Sequence, residues 1–253
     1  TDLPHLPTTP HPQALHNQTL LARMQAFGYT AETMQFMLQP LVKELRDPLG
    51  SMGNDSALAV MSDKPRMLYD YFKQLFAQVS NPPLDAIREE LVTSLNMFIG
   101  TQQNILDETP SHCHQLKLSS PLLTNQQIEQ IRRLEIDGMS TITLSTLFDA
   151  TESSVGLERA LEDLCTRATQ AVSGGHSIII LSDRGVDDVH APIPSLLALS
   201  AVHHHLIRNG LRTKVGLIVE SGEPREVMHF ALLIGSVSYT HLRAHETEAD
   251  LVC

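Results

Sequence analysis

Residues 177–220 read SIIILSDRGVDDVHAPIPSLLALSAVHHHLIRNGLRTKVGLIVE, and they decide the fold. SIIILS (177–182) and KVGLIVE (214–220) are short β-branched runs with no polar alternation, the pattern of strands buried on both faces. Between them, 195–209 carries Leu196, Leu199, Val202 and Leu206 at helical spacing. A strand, a helix and a second buried strand make a parallel pair with a right-handed crossover. Working outward, TITLST (141–146) precedes a helix over 157–172, and a third helix over 224–234 follows the last strand. In the 157–172 helix, Leu157, Ala160, Leu161, Leu164, Cys165, Ala168 and Val172 share one face, while Glu158, Glu162, Asp163 and Arg167 share the other. Three strand–helix units therefore span 138–235, and the fold class is α/β.

Residues 15–137 have a mainly helical texture. Leu20, Leu21, Met24 and Phe27 form one stripe before Gly28, and Thr30 can cap a second helix carrying Met34, Met37, Leu38 and Leu41. The stretch RDPLGSMGNDS (46–56) interrupts it. Met67, Leu68, Tyr71, Phe72, Leu75, Phe76 and Val79 predict an amphipathic helix stopped at Asn81-Pro82-Pro83. Asp85 then opens a helix with Ile87, Leu91, Leu95 and Phe98, expected to run to Gly100. Thr124 and Gln127 have capping-box spacing, with Leu123 and Ile128 placed as a staple. Residues 1–14, with four prolines, read as a linker, and the absence of an initial Met suggests a fragment.

Composition narrows the function classes. The 253 residues carry 18 basic and 29 acidic side chains, a net charge of -11, which disfavours a nucleic-acid backbone as partner. No apolar run is long enough for a membrane helix, and the first residues lack a signal core. Cys113, Cys165 and Cys253 cannot build a disulfide framework, which suits a reducing cytoplasm. Dinucleotide, phosphate-loop, zincin, paired CxxC and GxSxG signatures are all missing.

His203, His204 and His205 are adjacent on a helix, rotated about 100° from one another, and cannot converge on one ion. His203 falls on the apolar stripe, His204 at its edge and His205 toward solvent. His112, Cys113 and His114 offer soft ligands in a loop but lack a distant second pair. The loops SDRGVDDVHAPIP and ESGEPREV follow strands, where ligands gather in parallel α/β folds. Asp183, Arg184, Glu220, Glu223 and Arg225 there could bind a polar ligand or one another. Ser80 and Asn81 sit in a stiff turn ahead of two prolines.

The blocks GSMGNDSALAVMSDKPRMLYDYFKQLFAQVSNPPLDAIREELVTSL (50–95) and ILSDRGVDDVHAPIPSLLALSAVHHHLIRNGLRTKVGLIVESGEPREV (180–227) closely resemble the central domain of the glutamate synthase large chain, with similarity from about Leu20 to Gly235. The resemblance implies a place between an amidotransferase domain that releases ammonia from glutamine and a barrel that binds FMN and an iron–sulfur cluster. The fragment itself would hold no cofactor and no active site, and its α/β half would be an incomplete, rudimentary barrel. A small electron-donating subunit or ferredoxin would be a further partner. The segment matching QVSNPP lies near the ammonia passage in the family, usually with Thr at the position of Ser80, so Ser80 and Asn81 are expected to line that channel. Met228 stands where the family usually has His. Residues 236–253, SVSYTHLRAHETEADLVC, depart from the family and resemble translated adapter read-through, a non-native tail. Two rival readings stay open: a stand-alone small-ligand module built on the loops of Asp183 and Glu220, and a metal-binding protein using the histidines.

Overall fold

The computed structural model describes residues 17–45, 58–72, 83–136 and 138–238. Its centre is a parallel sheet. β4 (Met139–Ser145), β6 (Ile178–Ser182) and β8 (Gly216–Glu220) pair in parallel, with Thr141 opposite Ile178 and Ile178 opposite Gly216. β3 (Glu135–Ile136) adds an antiparallel edge to β4. The connections are α4 (Ser153–Ser173) and α5 (Ser195–Arg208), and α6 (Val227–Ser238) follows β8. The three strand–helix units therefore stand where the sequence placed them, in an open sheet with no closed barrel. A small ribbon of β5 (Leu147–Asp149) and β7 (His190–Pro192) links the loops after β4 and β6.

The period-two geometry of the strands explains their unbroken apolar runs. Ile179 and Leu181 point into a core with Leu164 and Ala168 of α4, Leu199, Val202 and Leu206 of α5, and Leu233 of α6. Ile178, Ile180 and Ile218 point the other way, onto Ile128 and Ile131 of α3 (Asn125–Arg132) and onto β1 (Met97–Ile99) and β2 (Leu116–Leu118). The two crossover helices and α6 thus pack on one face, as in a barrel sector, and a β-ribbon with one helix covers the other. Its approach is close: a Cβ on Gly216 would lie 2.2 Å from Ile99 Cγ2, so only glycine fits there.

The local start signals are as read. Thr124 Oγ1 accepts from Gln127 N while Gln127 Oε1 accepts from Thr124 N, a complete capping box on α3. Asp85 accepts from Ile87 N and Arg88 N at the start of α2 (Ala86–Val92). α1 (Asn17–Ala26) ends before Gly28, whose φ of 66° needs no Cβ.

Three expectations for the first half are corrected. α2 stops at Val92 rather than near Gly100, because a turn in which Ser94 Oγ accepts from Asn96 N leads into Met97–Ile99, a strand paired with Leu116–Leu118. Ile87, Leu91 and Leu95 consequently face solvent. The segment after Thr30 is wide-turned π-helix, Thr33–Leu38 and Pro40–Glu44, since Pro40 removes a backbone donor from the ladder. The helix expected from Met67 is a single 3-10 turn, Leu68–Tyr71, after which Phe72 is extended. Residues 73–82 lie outside the described residues, and with them Ser80 and Asn81. The linker 1–14 and residues 239–253 are outside as well, while 236–238 continue α6.

Candidate functional site

The candidate residues gather at the C-terminal ends of β6 and β8. Register alone sets Ser182 beside Glu220, the last residues of their strands. The Glu220 carboxylate accepts from Ser182 Oγ at 2.6 Å, Arg184 Nε at 2.5 Å and Arg132 Nη2 at 2.7 Å. Burial works against its charge, but the Ser182 hydroxyl and the two guanidiniums outweigh burial and hold the carboxyl below its ordinary range. Asp183, next in the chain, is 7% exposed and has a weaker neighbourhood. Its Oδ2 accepts from Gly222 N at 3.2 Å, and burial pushes its pKa up to about 6.

Glu223 does a different job. Pro194 supplies no capping side chain to α5, and the Glu223 carboxylate reaches across to accept from Ser195 N at 2.7 Å and Ser195 Oγ at 2.6 Å. It satisfies the orphan donors at that helix start and complements the helix dipole. Since the Ser195 hydroxyl gives its hydrogen to Glu223, it accepts from Tyr69 OH at 2.6 Å. Tyr69 is fully buried and stacks on His229, ring centroids 4.4 Å apart. Burial lowers the pKa of His229 and raises that of Tyr69. His229 Nδ1 accepts from Arg225 N at 3.1 Å, which places its proton on the other nitrogen.

Arg225 binds the first elements of the chain to this loop. Its guanidinium lies 3.9 Å over the Tyr29 ring and donates to the carbonyls of Phe27 and Gly28. Tyr29 OH donates to Gly222 O at 2.9 Å, and the Phe27 ring sits where a Cβ on Gly222 would come within 2.7 Å of it. The end of α1 therefore lies over the strand-end mouth that ligands occupy in other α/β folds.

The five residues singled out at the strand ends thus form two clusters, Asp183–Arg184–Glu220 and Glu223–Arg225, whose polar atoms meet one another and the backbone. Sequence reasoning did not find Arg132, Tyr69, Ser195 or His229, whose partners lie far along the chain. Among the histidines, His203 is buried on the α5 stripe and accepts from Arg212 Nε at 2.9 Å. The same burial brings Arg212 down to about 10. His204 is exposed and His205 is half-buried against Thr169 Oγ1 at 2.9 Å, the reverse of their expected order. His112 meets the carbonyl of Asp107, and among the described residues no three His, Cys, Asp or Glu side chains are grouped to hold a metal.

A three-stranded parallel sheet backed by three helices on one side, with its strand-end charges tied internally, defines a barrel-sector α/β segment. Residues 22–238 match the family model described as the glutamate synthase central domain, and the chain belongs to that family. It is 51% identical over 216 residues to the glutamate synthase [NADPH] large chain of Bacillus subtilis, covering 85% of this chain and 14% of that protein. It is 42% identical over 214 residues to the glutamate synthase [NADH] of Schizosaccharomyces pombe, covering 84% of this chain and 10% of that one. Against ferredoxin-dependent glutamate synthase 2 of Synechocystis the identity is 43% over 222 residues, 86% of this chain and 14% of the relative. The chain therefore spans a small part of the length of these relatives. Among the described residues no helix is long and apolar enough to cross a membrane.

Proposed function

We propose that this chain is the central interdomain segment of a glutamate synthase, the enzyme that converts glutamine and 2-oxoglutarate into two glutamates. The observation that carries the reading is the family match over 22–238, in a chain that covers only 14% of the Bacillus large chain. Residues 15–235 are the central domain, 1–14 a linker toward an amidotransferase domain, and 236–253 a non-native tail. FMN and an iron–sulfur cluster belong to a following domain of the same polypeptide. The residues here do not fit either group. Among the described residues, Cys113 and Cys165 sit in separate elements with no group of three His, Cys, Asp or Glu side chains that could hold a metal, and the strand-end mouth is lined by the Phe27 and Tyr29 rings rather than by a phosphate cradle. A small electron-donating subunit or ferredoxin supplies electrons to the parent enzyme, and the cytoplasm is its compartment.

Within that enzyme the segment holds its neighbours in register and helps to shape the ammonia passage through Ser80 and Asn81. Support comes from the described residues on either side of these two: Tyr69 is locked into the α/β half, and Asp85 caps α2. Neutral polar groups suit the task, because they bond ammonia without protonating it. The test is Ser80→Trp in the full-length parent enzyme. Glutamine hydrolysis is expected to continue while free ammonia accumulates and glutamate formation falls; unchanged coupling of the two reactions refutes the channel role.

A further inference from the structure

We infer that the apolar face of α2 is a docking surface, covered in the parent polypeptide by the domain that follows this segment. The inference rests on the interdomain reading and adds which face meets which neighbour. α2 buries none of its residues: Ile87 is 88% exposed and Leu91 68%. Leu95, in the turn beyond it, is 62% exposed. Phe98, on the side of β1 away from buried Ile99, is 55% exposed. Single exposed apolar residues are ordinary, but a run of large ones over 87–98 marks a surface that meets another.

The helix is also too short to hold itself. It has seven residues, whereas isolated helices below about 12–15 are marginal in water and depend on packing an apolar face. Asp85 satisfies two amides at its start and supplies no such packing. At about 100° per residue Ile87 and Leu91 project together, with Arg88 along one flank and Glu90 along the other. The matching surface is therefore an apolar groove with an acid set against Arg88 and a base against Glu90.

The course of the chain selects the occupant. Ile99 lies against Gly216, the first residue of β8, and Gln102 N donates to Thr213 O at 2.7 Å, so β1 stands where β8 begins. α6 starts beside the opposite end of the sheet, where His229 stacks on Tyr69, and returns along it through buried Leu233 to Ser238. A polypeptide continuing past α6 thus emerges at the end of the sheet that carries β1. The preceding chain enters at the other end, since Leu20, Met24, Phe27 and Tyr29 line the mouth beside Asp183 and Glu220. This chain covers only 14% of the Bacillus large chain, so a parent of that length has ample polypeptide to cover the face. Tethering makes a following domain the favoured occupant over a separate molecule.

The test uses thiol labelling and cross-linking in the full-length parent enzyme. Leu91→Cys should react with a maleimide at least about tenfold more slowly there than in this chain alone, because a covered thiol waits for local opening. Glu90→Cys, on the rim, takes a benzophenone maleimide; photolysis should join it to peptides that follow this segment. Both substitutions are at exposed positions, and circular dichroism should be unchanged. Equal labelling rates overturn the inference, as do cross-links to the preceding domain or to a second copy. Each of those results leaves the interdomain reading standing. That reading fails separately, if the parent polypeptide encodes no domain after α6, which its own sequence shows before any labelling.

Discussion

Replacing Asp183 by Asn should remove a specific slope from the pH dependence of stability. The Asp183 carboxyl has an ordinary pKa of 3.8 and is pushed up to about 6 in the fold, chiefly by burial. Between those values the folded chain holds the proton and the unfolded chain releases it, so rising pH favours unfolding. The neutral acid's contribution is fully present below 3.8 and is lost as pH climbs through about 6. At 1.36 kcal/mol per pKa unit, the ionised group costs the fold about 3 kcal/mol at neutral pH. Asn keeps a carbonyl oxygen for the Gly222 amide and cannot ionise, so it escapes that cost. Urea denaturation of both chains, followed by circular dichroism from about pH 4 to about pH 7, measures the difference directly. The Asp183→Asn chain should gain about 3 kcal/mol relative to the parent across that range. Glu220 moves oppositely, its lowered pKa stabilising the fold above the usual carboxylate range and losing effect in acid, but it is common to both chains and cancels. Parallel curves would refute the account of Asp183 as a strained buried acid.

Gly216→Ala should drive a methyl group into Ile99 and destabilise by about 1–3 kcal/mol, read as a lower urea midpoint; adding Ile99→Ala should recover part of the loss. Tyr69→Phe removes the hydroxyl that donates to Ser195 while keeping the ring on His229, and should cost about 1 kcal/mol in the same assay. Tyr69→Phe in a Ser195→Ala background should cost much less, because the hydroxyl has then lost its partner in both chains.

What was legible in the sequence was what short stretches of chain settle among themselves. SIIILS and KVGLIVE announce strands because their interiors run without polar alternation, and the 157–172 face is readable because an amphipathic helix needs only its own period. Thr124 and Asp85 cap helices three residues away, so their roles are printed locally. The misread elements are those that distant partners overrule. Met97–Ile99 continues the helical spacing of Ile87 and Leu91, yet Leu116–Leu118 and Gly216 offer it a ladder and a slot. The Met67–Tyr71 turn stops short of a helix while Tyr69 is drawn to Ser195. At the candidate site the charged residues themselves could be named from the strand-end rule. That Glu223 would cap α5 while Glu220 gathers two arginines depends on loop geometry that no spacing encodes.

The loop at 222–225 also sets an order of events during synthesis. Tyr29 reaches Gly222 across 193 residues, Arg225 reaches Gly28 across 197, and Tyr69 reaches Ser195 across 126. At about 5–20 residues per second, α1 leaves the ribosome some 10–40 s before the residues that will hold it. The first helix of the segment is consequently among the last pieces to be fastened. Until the third strand and its loop have been made, α1 and Tyr29 have no partner there, so a chain halted before Gly222 keeps its α/β layers but not the contact that fastens its first helix.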